Sequence, residues 1–220
     1  MKQHFINELE SLCNRIIRQG EAAEQTIRKA ILAFRTNNTQ LAQRIISDDE
    51  IINLEEIQLE EECLKILALY QPVASDLRMV ISYIKINTML ERIADFGCHI
   101  AKLSLKIADF SKEQCDFEIF DFTLMENLTL DMLHNSLNVI RDNNTVLAHK
   151  VIDNDNTVDL LRQEHRNHAR KAIVKNPAMS EYYVACFELA RELERIADLS
   201  TDICQQIIYL QTGQIIRHTF

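Results

Sequence analysis

The six residues Leu90-Glu91-Arg92-Ile93-Ala94-Asp95 return unchanged as Leu193-Glu194-Arg195-Ile196-Ala197-Asp198, 103 positions later. In a chain of 220 residues, an identical hexapeptide at nearly half the length implies two copies of one structural unit. The repeated residues are not the apolar ones a core alone would demand. Each copy sets a Glu and an Asp at i and i+4, which places both carboxylates on one helix face. Like charges at that spacing repel by roughly 0.2–0.5 kcal/mol. Building the repulsion twice argues for a cation at each face.

The chain that carries the repeat is helical throughout. It has three Gly and two Pro, so the residues that punctuate turns and strands are nearly missing. No segment alternates β-branched and polar residues in the manner of a strand. The fold class read from this is all-α, with six helices over 4–36, 39–70, 75–109, 115–141, 145–175 and 178–211. Asn37-Asn38-Thr39 and Asn143-Asn144-Thr145 read as turns with an Asn or Thr N-cap. Gln71-Pro72 and Asn176-Pro177 end the second and fifth helices, and Ser75 or Asp76 is the expected cap of the third.

The third and sixth helices carry apolar seams at alternating 4,3 spacing. One runs Met79, Tyr83, Ile86, Leu90, Ile93, Gly97, Ile100; the other runs Tyr182, Cys186, Leu189, Leu193, Ile196, Ser200, Ile203. Such seams lie between partner helices in a bundle. Three helices per half give two tandem three-helix bundles related by an internal pseudo-repeat, over residues 1–110 and 111–220, with the polar stretch from Asp109 to Cys115 between them. One continuous six-helix domain fits the same pattern.

Charge and composition exclude several function classes. A net charge of −9 disfavours a nucleic-acid partner, which needs a basic stripe. Cys13, Cys63, Cys98, Cys115, Cys186 and Cys204 form no CxxC pair and no framework spacing, and read as reduced core thiols. The N-terminus lacks the apolar run of a signal sequence, and residues 203–216 are too short and Gln-rich to span a bilayer. These features place the chain in the cytoplasm, with membrane contact only through a partner. No nucleophile motif, Gly-rich phosphate loop or HExxH is present.

The acids extend beyond the repeat. In the sixth helix Glu194, Asp198 and Asp202 lie at i, i+4 and i+8, and His99 matches Asp202 in the third. The helix before carries Asp49 with Asn53 in the first half, and Asp155 with Asp159 in the second. Helices joined by a short turn run antiparallel, so the two pairs can face each other. Oxygen donors in that arrangement suit iron, manganese, magnesium or calcium and tolerate zinc. The competing reading is ordinary pairing of Arg92 with Asp95 and Arg195 with Asp198, each worth little at a surface. A ferritin-like di-iron site needs Glu-x-x-His on two helices, and none occurs here. His165 and His168, with His149 nearby, are open to a His metal site but fit solvated or capping roles better.

At these residues the sequence resembles the PhoU family, the accessory proteins of bacterial phosphate-specific uptake systems. The resemblance rests on Gln71-Pro72-Val73-Ala74-Ser75-Asp76-Leu77-Arg78, on both Glu-Arg-Ile-Ala-Asp copies, and on Ile208-Tyr209-Leu210-Gln211-Thr212-Gly213. It implies a pair of three-helix bundles whose Glu/Asp-x-x-x-Asp motifs hold multinuclear clusters, typically of iron or zinc. Glu91 and Asp95, with Asp49 and Asn53, would then hold one cluster. Glu194 and Asp198, with Asp155, Asp159 and Asp202, would hold the other. The family often has Gly where Ala94 and Ala197 stand, and Asn53 replaces an acid, so the second site is expected to bind more tightly. The resemblance also implies a non-catalytic negative regulator whose partners are a sensor histidine kinase and the ATPase of a phosphate ABC transporter. A homodimer is expected from an exposed helical face. The rival reading is a metalloenzyme or metal-storage bundle.

Overall fold

The computed structural model describes residues 2–110 and 120–214. In chain order the elements are α1 (Lys2–Thr36), α2 (Thr39–Tyr70), α3 (Ala74–Lys106), α4 (Thr123–Asp142), α5 (Thr145–Lys175), a short 3-10 turn (Pro177–Met179) and α6 (Ser180–Thr212). No strand occurs among the described residues, and the all-α expectation holds with helix ends within a few residues, except that α4 begins only at Thr123 and residues 120–122, expected inside it, are not helical. The expected start of α4 at 115 and the polar separator beyond Phe110 lie outside the described residues.

The helix ends follow local chemistry. Asn38 and Asn144 are the N-caps, each side chain accepting a hydrogen bond at 3.0 Å from the backbone N–H of Leu41 or Leu147. The residue before each cap, Asn37 or Asn143, has φ near +50°, a left-handed conformation that Asn tolerates. The two turns share the sequence Asn-Asn-Thr-x-Leu-Ala at a separation of 106 residues, a second internal repeat. Neither Ser75 nor Asp76 caps α3: the helix starts at Ala74, its N-cap Val73 makes no side-chain cap bond, and Ser75 Oγ lies 3.4 Å from Asp76 Oδ1. α3 also stops at Lys106, short of the expected 109, where the Ile107 N–H closes the helix onto Leu103.

Packing makes the repeat three-dimensional. α1, α2 and α3 pack together, as do α4, α5 and α6. The halves meet through α1 against α4 and α3 against α6, each helix on its own counterpart, as an internal two-fold allows. One buried apolar cluster runs through both bundles, including Ile27, Leu90 and Ile93 in the first and Leu133, Leu193 and Ile196 in the second. The bundles are therefore two by topology and continuous by core. Among the described residues α2 packs on α1 and α3 alone, and α5 on α4, α6 and the 3-10 turn, so they cap opposite ends of the molecule. Gly20 permits the close approach of α1 to α4, because a methyl there would overlap the side chain of Leu137.

Candidate metal centres at the repeated acidic motifs

Each repeated motif sits on the long inner helix of its bundle. Leu90, Ile93 and Ala94, like Leu193, Ile196 and Ala197, point into the core. That fixes the rotation of the helix and leaves Glu91 and Asp95, or Glu194 and Asp198, at the edge of the groove toward the outer helix. Glu91, Asp95 and Glu194 are half-buried. Asp198 is exposed.

In the second bundle, Asp155 and Asp159 of α5 face this line. Asp155 is half-buried, and its Oδ1 is fully enclosed without a hydrogen-bond partner. Burial, then repulsion from Asp159, with Glu194 and Asp202 adding and the Thr201 hydroxyl opposing, pushes the Asp155 carboxyl up to about 6. Asp198 is lifted to about 7 by partial withdrawal from water and then by Asp155, Glu194, Asp159 and Asp202. Glu194 is also raised, chiefly by burial, although Arg162 of α5 lies 3.4 Å from its carboxylate and pulls the other way. Acids that raise one another in this way share one electrostatic site.

The first bundle repeats the arrangement with different residues. Burial raises Glu91, and Asp95, Glu56 and Asp49 add to the rise in that order. Asp49 Oδ1 accepts a hydrogen bond from the Cys98 thiol at 3.2 Å. Burial and that bond push the thiol up to about 12. Asn53 is half-buried, with its Oδ1 enclosed and unpartnered.

The structure places the acids of each outer helix near those of the repeated motif on the inner helix. The donor chemistry fits a hard cation, with unpartnered oxygens on Asp155 and Asn53 and mutual repulsion that a positive charge relieves. The side chains do not hold a ready-made cage: among the described residues, no three His, Cys, Asp or Glu groups converge closely enough to chelate one ion.

The ion-pair reading of the motifs is corrected. Among the described residues no bridge joins Arg92 to Asp95 or Arg195 to Asp198. Arg195 instead turns toward Glu192, 3.3 Å away, and lies over the ring of Phe96. His165 is neither solvated nor a cap. It is buried and stacked on Phe122 with ring centroids 4.3 Å apart, and burial lowers its pKa. His149 and His168 are exposed.

A family model for the PhoU domain matches residues 16–104 and, separately, residues 122–207. The chain belongs to the PhoU family. It is 31% identical over 214 residues to the phosphate-specific transport system accessory protein PhoU homolog of Aquifex aeolicus, covering 97% of this chain and 96% of the relative. It is likewise 31% identical over 218 residues to the phosphate-specific transport system accessory protein PhoU of Escherichia coli, covering 97% and 88%. The crystal structure of PhoU from Pseudomonas aeruginosa superposes with a TM-score of 0.87 at 28% identity, over 96% of this chain and all of the other. The phosphate transport system regulatory protein PhoU from Streptococcus pneumoniae gives a TM-score of 0.84 at 28% identity, over 96% and 99%.

Comparing the two PhoU repeats exposes one residue that the motif search missed. Glu56 lies three positions after Asn53 and seven after Asp49, on the same ridge, and contributes to the rise of Glu91. Its counterpart 106 residues on is Arg162. The first PhoU repeat thus regains at Glu56 the acid it lost at Asn53, while the second places a cation beside Glu194. The i+7 spacing carried that signal.

Proposed function

We propose that this chain is a non-catalytic accessory regulator of a phosphate-uptake system, working in the cytoplasm by docking to partners. The observation that carries this reading is the end-to-end likeness to relatives named as phosphate-specific transport system accessory proteins, with both repeats kept. No helix among the described residues is long and apolar enough to cross a membrane. When phosphate is plentiful, the chain restrains the transporter, through its ATPase, and the sensor histidine kinase of the phosphate regulon. It self-associates as a homodimer.

In this reading each acidic groove takes a metal, iron or zinc before manganese or magnesium. Asp49, Asn53, Glu91 and Asp95 hold it in the first bundle. Asp155, Asp159, Glu194, Asp198 and Asp202 hold it in the second. The cation neutralises the clustered carboxylates and stiffens the pairing of outer and inner helices. What this chain's own residues do is present two rigid faces of defined charge. The test is binding of the purified chain to the kinase and the ATPase, with and without Glu91, Asp95, Glu194 and Asp198 replaced by Ala. A loss of about tenfold or more in affinity is expected; unchanged binding would sink the metal-face mechanism.

A further inference from the structure

The internal two-fold that relates α2 to α5 does not extend to their charge. Residues 56–69 of α2 carry four glutamates and one lysine, whereas the corresponding residues 162–175 of α5 carry three arginines, two lysines and one glutamate. In a chain of net charge −9, that basic stretch is the exception. Helix-end electrostatics do not explain it. Only Lys175 lies in the last turn of α5, where the helix dipole favours a cation. Arg166, Arg170 and Lys171 lie further in and are exposed. Among the described residues, Arg162 is the one α5 cation that makes an ion pair.

The outer face of α2 also pairs its acids with a row of exposed apolar residues. Leu54, Ile57 and Leu64 are 52%, 50% and 53% exposed, and the exposed acids Glu60 and Glu61 lie between Ile57 and Leu64. Solvent-facing helices carry such apolar residues singly, and a row of them marks a contact surface. The same row on α5 has Leu160, Gln163 and Arg170. Arginine and lysine stems cover apolar surface while their heads reach outward to acids. The α5 face therefore supplies both what the α2 row needs covered and what its acids need paired.

We propose that a second copy of this chain docks through these faces, the basic face of α5 on one copy lying over the acidic, apolar-striped face of α2 on the next. The proposal rests on the self-association in the functional reading, names its surfaces and extends it past the dimer. Because α2 and α5 cap opposite ends of the molecule, the contact is head to tail. A pair joined in this way leaves one α2 and one α5 free, so assembly continues beyond the dimer with rising concentration.

Sedimentation velocity across a concentration series, at about 0.05 M and about 0.5 M salt, provides the test. The wild-type chain is expected to form dimers and larger species at low salt and to fall back toward monomer at high salt. The double variants Glu60→Lys with Glu61→Lys, and Arg166→Glu with Arg170→Glu, should each lose about tenfold or more in self-affinity. Mixing the two variants should restore association, since each basic face again meets an acidic one. Recovery in the mixture also shows that both variants are folded. A wild-type chain that stays monomeric would overturn the proposal, as would a dimer that neither salt nor the variants weaken, or a mixture that fails to recover. A salt-insensitive dimer would leave the homodimer and the regulatory reading standing while removing this surface.

Discussion

The guanidinium carbon of Arg195 lies 4.2 Å from the centroid of the Phe96 ring, across the seam where α6 meets α3. The same seam holds Glu192, 3% exposed at its side chain, within 3.1 Å of Arg191 and 3.7 Å of His99. One arginine of the repeated motif thus helps join the two bundles while its acidic neighbours face the groove. Replacing Arg195 by Met keeps the aliphatic stem and removes the cation, and should cost about 1 kcal/mol. Phe96→Ala, which empties a buried ring, should cost about 3 kcal/mol or more. Urea unfolding midpoints of the two variants check both values.

Gly97 is expected to resist substitution although it lies in the middle of a helix. Alanine there would normally gain about 1 kcal/mol in helix propensity. A methyl at this position would come 2.8 Å from Thr26 Cγ2 and 3.1 Å from Ile27 Cδ1 of α1. The methyl of Thr26 is branched at Cβ and has little freedom to yield. Overpacking of roughly 1–3 kcal/mol should outweigh the gain, so Gly97→Ala lowers the thermal midpoint. A variant more stable than wild type would contradict the close approach.

The raised acids of the second bundle give a pH dependence with a definite sign. An unfolded Asp titrates near 3.9, whereas Asp155 is held at about 6 and Asp198 at about 7. Between those limits the folded protein binds more protons than the unfolded one, so stability falls as pH rises through the window. In chelator, the unfolding midpoint should drop between about pH 4 and pH 7. Asp198→Asn should remove part of that drop, with its gain largest above pH 7, where the wild-type carboxyl is ionised. A flat profile in wild type would contradict the crowding.

The architecture was legible in the sequence because its signals are local. Caps at Asn38 and Asn144, prolines at 72 and 177, and the 4,3 seams of α3 and α6 all act within a few residues. The acidic grooves were legible for the same reason, since i, i+4 pairs on adjacent helices must meet when a short turn joins them. What the sequence hid depends on partners far along the chain. The choice of Arg195 between Asp198 and Phe96 is settled by the packing of α6 on α3. The burial of His165 is settled by Phe122 across the bundle, not by its own neighbours. The continuity of the core across both halves was left open because seam residues look alike whether they serve one bundle or two.

Asp159 and Asp202, where the first groove has Asn53 and His99, set the expected order of metal affinity, and Glu56 and Arg162 narrow it. The first groove has Glu56 where the second has Arg162, so deleting that cation should favour the second groove further. In calorimetric titration with Mn²⁺, Arg162→Gln should tighten binding by about tenfold. Glu194→Ala should remove the tighter class of site and Glu91→Ala the weaker one. Equal losses from both variants would contradict the asymmetry.

Alkaline phosphatase activity in a deletion strain grown in abundant phosphate tests the regulatory reading most directly. Constitutive activity is expected without the gene, with repression restored by the intact chain and not by the variant lacking Glu91, Asp95, Glu194 and Asp198. Activity that stays repressed in the deletion strain would contradict a negative regulator of the phosphate response.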